Sequence, residues 1–147
     1  MEWFSKAFIK ASTVWLVLAM LLGMSMAMNP VLVVYRPIHA HVMLVGFVTM
    51  MIFGVAYHVL PRFSGRPLFS VRLAYAHWWF ANIGLATMVF GFRQQIANGW
   101  GHDWMLSIGG SLTAISVIIF AIQVWLTIDE RPAVVAPSQR PSVPLTR

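Results

Sequence analysis

Cysteine is absent from all 147 residues, which excludes disulfides, iron–sulfur centres, thiolate ligation of a haem iron and covalent haem attachment through a Cys-x-x-Cys-His site. Acidic residues are nearly as scarce, four Asp and Glu against ten Lys and Arg, and they form no acidic metal cluster. Charged residues make up only 10% of the chain. The basic ones are scattered among flanks and connections, so the formal net charge of +6 builds no groove-sized patch for nucleic acid. What is present is apolar: 59% hydrophobic residues and a mean hydropathy of +0.75. A soluble domain would struggle to stay dispersed with that surface, and membrane lipid is the partner it implies.

Four stretches are long enough for a bilayer whose core needs roughly 20 apolar residues per helix. They run over about 11–28, 38–60, 73–92 and 104–128, which predicts an all-α integral membrane four-helix bundle occupying residues 1–130. The first stretch has features of a secretory signal, with Lys6 and Lys10 before it and Met24-Ser25-Met26-Ala27 near its end. Its length and the three spans behind it favour a retained helix. Asn29-Pro30 is expected to end that helix, because proline disfavours helical geometry in the residue before it. Pro61 and Pro67 are expected to bracket the connection after the second. Residues 131–147, rich in proline, serine and arginine, read as a disordered tail without a catalytic role.

Charge asymmetry gives an orientation. Lys6, Lys10, Arg62, Arg66, Arg72, Arg131, Arg140 and Arg147 flank one side and only Arg36 and Arg93 the other. The positive-inside rule then puts both termini in the cytoplasm, in a bacterial inner membrane crossed several times. Tyr35, Trp100 and Trp104 would lie at the outer interface.

The five histidines fall into two layers. His39, His41 and His102 belong to the outer ends of the second and fourth helices, His58 and His77 to the inner ends of the second and third. His41 and His58 are 58 − 41 = 17 residues apart, a helical rise of roughly 25 Å, so one metal centre cannot use both. In Arg36-Pro37-Ile38-His39-Ala40-His41 two imidazoles stand beside an arginine at a helix entrance, where ionisable groups are costly; metal or haem ligation is the first hypothesis. Positions i and i+2 diverge by roughly 200° on a helix, so the two should serve different neighbours. The bland alternative is a pair of interfacial histidines bonded to carbonyls or water. Arg36 and Arg93 suit the propionates of a haem, which guanidinium groups bind bidentately, with interfacial snorkelling as the competitor. His102 follows Gly99-Trp100-Gly101 and is more simply a solvated residue or a partner of Asp103; a haem held within one chain would use His41 and His102. Gly46, Gly54, Gly84 and Gly91 could admit a flat macrocycle, but close helix packing is the commoner use. His58 and His77 read first as headgroup-level residues, with a second haem, a labile metal, or a quinone or proton site as the reactive alternatives.

The run His39-Ala40-His41, Gly46-Phe47, Ile52-Phe53-Gly54, Ala56-Tyr57, Leu60-Pro61-Arg62, then His77-Trp78-Trp79 and Asn82-Ile83-Gly84 resembles the tenth and eleventh helices of subunit I of the haem–copper oxidases, above all the cbb-type cytochrome c oxidases. The similarity covers about residues 36–99. It implies that His39 matches the ligand of the high-spin haem and His41 that of the low-spin haem. The chain departs from the pattern in lacking recognisable counterparts of the copper-binding histidines and the cross-linked tyrosine. His58 also stands where the pattern more often has an aromatic residue.

Subunit I resembles three four-helix arcs, and this chain looks like one arc. The resemblance therefore implies a homotrimer, with a non-covalent haem b between His39 of one protomer and His41 of the next. Bis-histidine ligation fills both axial positions and favours electron transfer, with a quinone or cytochrome as redox partner. The alternatives are a haem protein that binds or reduces nitric oxide or oxygen, an oxidoreductase of the cytochrome oxidase or nitric oxide reductase type, and a haem-free accessory subunit of a respiratory complex.

Overall fold

The computed structural model describes residues 2–99, 101 and 104–129. Four helices hold almost all of them: α1 (Trp3–Met28), α2 (Pro30–Ser64), α3 (Val71–Asn98) and α4 (Trp104–Asp129). Among the described residues there is no strand. By length and composition α1, α2 and α4 are each long and apolar enough to cross a membrane. α3 is as long, with 28 residues, but carries His77, Asn82, Arg93, Gln94 and Gln95. The bundle is apolar outside and partly polar inside. Val14, Val17, Ile118, Ile122 and Trp125 face outward, while Ser12, His77, Ser116, Gln123 and Thr127 are buried. Lipid favours that distribution, since it solvates hydrocarbon and leaves polar groups to find partners within the protein.

α1 starts at Trp3, well before the apolar run at residue 11, because Phe4 and Phe8 are buried against Tyr57 and His77. Lys6 and Lys10 are thereby carried inside the helix with exposed side chains. Asn29 ends α1 as expected, with extended backbone, and its side chain accepts a hydrogen bond from the Val31 amide at 3.1 Å. The next helix therefore begins directly at Pro30.

α2 changes winding three times. A 3₁₀ turn over Pro30–Tyr35 passes into α-helix at Arg36–His41, then into a π-helical stretch over Val42–Thr49, and α-helix resumes at Met50–Ser64. Thr49 Oγ1 donates to the Leu44 carbonyl five residues back at 2.8 Å, following the wider π register. Pro61 does not end this helix. It lies inside the last turns, and the chain leaves only after Ser64, where Gly65 adopts a left-handed φ of 66°. Proline forfeits one amide donor, but its own carbonyl stays in use and accepts from the Arg66 amide at 3.0 Å. Pro67 does lie in the connection.

α3 and α4 pack extensively against each other, and glycines set the spacing. A Cβ on Gly109 would come within 2.4 Å of the Met88 amide nitrogen, and one on Gly91 within 2.6 Å of that of Leu106. Gly46 and Gly54 likewise seat Trp15 and Ile9 of α1. All four glycines singled out in the sequence, Gly84 included, thus serve helix approach. Gln123 of α4 ties down the α2–α3 connection, donating to the Ser70 carbonyl at 2.6 Å and accepting from its amide at 3.1 Å.

Candidate functional site

The two outer imidazoles leave α2 in opposed directions, as a two-residue step on a helix requires. His39 turns to α1, where its Nδ1 lies 3.0 Å from the Ala19 carbonyl and its ring fills the space left by Gly23. His41 turns to α3, its ring 4.8 Å from that of Phe92, with Nδ1 2.8 Å from the Pro37 carbonyl. A carbonyl only accepts, so each Nδ1 carries a proton; in the neutral ring Nε2 then keeps its lone pair, the form in which histidine binds a metal. These are the carbonyl bonds of plain interfacial histidines, and equally the supporting bonds of a ligand histidine.

Around the dyad, Ala19, Ile38 and Val42 are buried, with Tyr35, Val89, Phe92 and Ile96 packed against them. Arg36 is exposed one turn before His39, and Arg93 is exposed directly after Phe92, the ring beside His41. Both guanidinium groups therefore belong to the His41 end of the bundle. His102 lies outside the described residues. The hollow next to His41, lined by Ala40, Leu44 and Val45, holds only about 150 Å³. Pockets that enclose a drug-sized ligand hold ~300–1,000 Å³, so this hollow does not enclose a porphyrin.

The inner layer is built differently. His77 is completely buried, and its Nδ1 shares a 2.7 Å hydrogen bond with the hydroxyl of Tyr57, itself 1% exposed. Phe8, Phe53 and Phe120 surround the imidazole with ring centroids 4.5–5.7 Å away. Its Nε2 is buried without a hydrogen-bond partner. His58, half-exposed, instead contacts the Arg62 guanidinium one turn on. His58 and His77 thus have separate partners. Among the described residues no three His, Asp or Glu side chains converge in a way that could hold a metal ion.

Two pairings escaped the sequence. Tyr57 and His77 are 20 positions apart, and the Trp15 indole donates at 3.2 Å to Asn82, 67 positions away. The available signal was the spacing of Phe53 and Tyr57, four apart on one face of α2, opposite a lone histidine of α3.

Comparison with known proteins agrees with this architecture. Residues 4–141 match the family described as cytochrome c and quinol oxidase polypeptide I. The chain is 25% identical to cytochrome c oxidase subunit 1 of Rhodobacter capsulatus, in an alignment covering 64% of this chain and 22% of that protein. It therefore spans about a fifth of that relative's length. With a match across nearly its whole described length, on membrane-type helices carrying the His-x-His pair, the chain belongs to the cytochrome c and quinol oxidase polypeptide I family.

Proposed function

We propose that this chain is a membrane haem b protein that carries electrons, with His41 and His39 as iron ligands and Arg36 and Arg93 holding the propionates. The observation that carries the reading is the tautomer imposed on both imidazoles: each Nδ1 is spent on a carbonyl, and each Nε2 is left as a donor for iron. With no cysteine, the haem is held non-covalently. When bound, a haem would supply one-electron chemistry; His39 and His41 would hold its iron, Ile38, Val42 and Phe92 would give it apolar surroundings, and Arg36 and Arg93 would match the charge of its carboxylates. Electron carriage is preferred to oxygen reduction because two imidazole ligands would leave the iron no open site for a gas.

The opposed imidazoles and the shallow hollow beside His41 support an assembly in which a second chain completes each site. Our reading is a homotrimer, each haem lying between His39 of one protomer and His41 of the next. The basic end carrying Lys6, Lys10, Arg62, Arg66 and Arg72 faces the cytoplasm of a bacterial inner membrane. A quinone or a cytochrome is the redox partner.

One observation favours a second reading. A single chain directs one imidazole to each side, so a haem held by one chain alone would have a single histidine ligand, which suits the binding of nitric oxide or oxygen. Optical spectra of the purified, reduced protein separate the readings. Sharp b-type bands unaltered by carbon monoxide support electron carriage, and bands shifted by it support gas binding. Protein purified without haem, and taking up none, would reject both in favour of an accessory subunit. A stable haem-loaded monomer in detergent would refute the trimer.

A further inference from the structure

Away from the dyad, at the basic end of the bundle, α1 and α3 leave between them a hollow of about 360 Å³. Its lining changes character along α1. Trp3, Lys6 and Lys10 share one face of α1 with Ala7, beside Trp78 of α3, and only the apolar Ala11 and Val14 continue deeper along the helix. Lys6 and Lys10 are four residues apart, so both ammonium groups lie on one face, and both are exposed. No acidic side chain lines the hollow. Trp3 stacks on Tyr75 at 4.9 Å and meets Trp78 edge-on at 5.7 Å, which makes the rim a rigid aromatic wall. The Trp78 indole nitrogen is buried and has no hydrogen-bond acceptor. Two cations and an apolar groove running toward the middle of a spanning helix match one kind of ligand: an anionic headgroup with an attached hydrocarbon chain.

We propose that this hollow is a binding site for one anionic glycerophospholipid, its phosphate between Lys6 and Lys10 and one acyl chain along Ala7, Ala11 and Val14. The occupant is a lipid and not free phosphate because the floor is apolar and continues into the outward-facing surface of α1, where Val14 and Val17 are exposed. It is anionic because the two lysines face no counter-charge within the hollow. The site lies at the end opposite the His39–His41 pair and does not depend on haem.

Native mass spectrometry of the full chain, released from vesicles containing equal phosphatidylglycerol and phosphatidylcholine, tests this directly. The expected result is one retained phosphatidylglycerol, favoured over phosphatidylcholine by about tenfold or more, as two lysines at such a surface supply. Lys6→Ala with Lys10→Ala should bring the ratio close to one. Lys6→Arg with Lys10→Arg should keep it, and so should Arg72→Ala, which removes an exposed charge at the same end that does not line the hollow. Millimolar inorganic phosphate should leave the lipid in place; displacement by phosphate alone would mean a simple anion site and refute the acyl-chain groove. Equal retention of the two lipids by the unmodified protein, or equal loss of preference in Arg72→Ala, would overturn the proposal.

Discussion

His39 and His41 at one end of the bundle and His77 at the other are the same side chain put to opposite uses. The outer pair is half-exposed, each ring held by a backbone carbonyl with its second nitrogen unspent. His77 is fully enclosed by aromatic rings and bonded to a tyrosine hydroxyl. The difference teaches that the partner and the burial of an imidazole, more than its position near a helix end, decide whether it is available to a ligand. A carbonyl fixes the tautomer and leaves the distant nitrogen free to bind. A tyrosine in an apolar box makes the histidine part of the packing.

The sharpest way to break the comparison is to remove one histidine from each layer. His41→Ala is expected to abolish most haem binding while leaving the helices folded, because the ring lies at the edge of the bundle; the reduced optical spectrum and the haem-to-protein ratio measure it. His39→Ala should behave alike, and retention of haem by both variants would move the ligands elsewhere. His77→Ala is expected to do the reverse, keeping haem but costing about 2–4 kcal/mol of stability for the cavity and the orphaned Tyr57 hydroxyl, read from unfolding in detergent. If His77→Ala bleached the protein and His41→Ala did not, the assignment of the layers would be inverted.

Smaller changes sharpen the contrast. Tyr57→Phe keeps the ring contacts with Phe4, Phe8 and Phe120 and deletes only the hydroxyl bonded to His77. A loss of about 1–2 kcal/mol is expected, again without change in haem content. Gly23→Ala touches the outer layer alone: its Cβ would lie 2.8 Å from Cε1 of His39 and must displace the ring. The expected cost is about 1 kcal/mol, seen as a roughly fivefold weaker uptake in a haem titration with the overall fold intact.

Much of this organisation was legible in the chain itself. The four helices follow from apolar run length, and Asn29-Pro30 marked the first boundary because it acts through local backbone geometry. Boundaries set by distant contacts were not legible. Trp3–Lys10 is helical because Phe4 and Phe8 find Tyr57 and His77 across the bundle, and Pro61 is tolerated because the surrounding helix keeps its remaining bonds. The π stretch at Val42–Thr49 left no mark in composition either, since π and α windings accept the same apolar residues. At the candidate site, the divergence of His39 and His41 could be worked out from a two-residue step, whereas the Ala19 and Pro37 carbonyls that fix their protons could not.

The sequence by itself determined the solvent of this protein, its helical class, the divergence of the histidine pair and the non-covalent character of any haem, because these depend on composition, run length and covalent inventory. Tertiary structure decided which imidazoles stay half-exposed and which is enclosed, and which glycines seat a neighbouring helix. It also decided where two lysines and two tryptophans meet around one hollow. Those outcomes depend on groups brought together from positions as far as 75 residues apart (78 − 3 = 75 for Trp3 and Trp78), and no local pattern records such encounters.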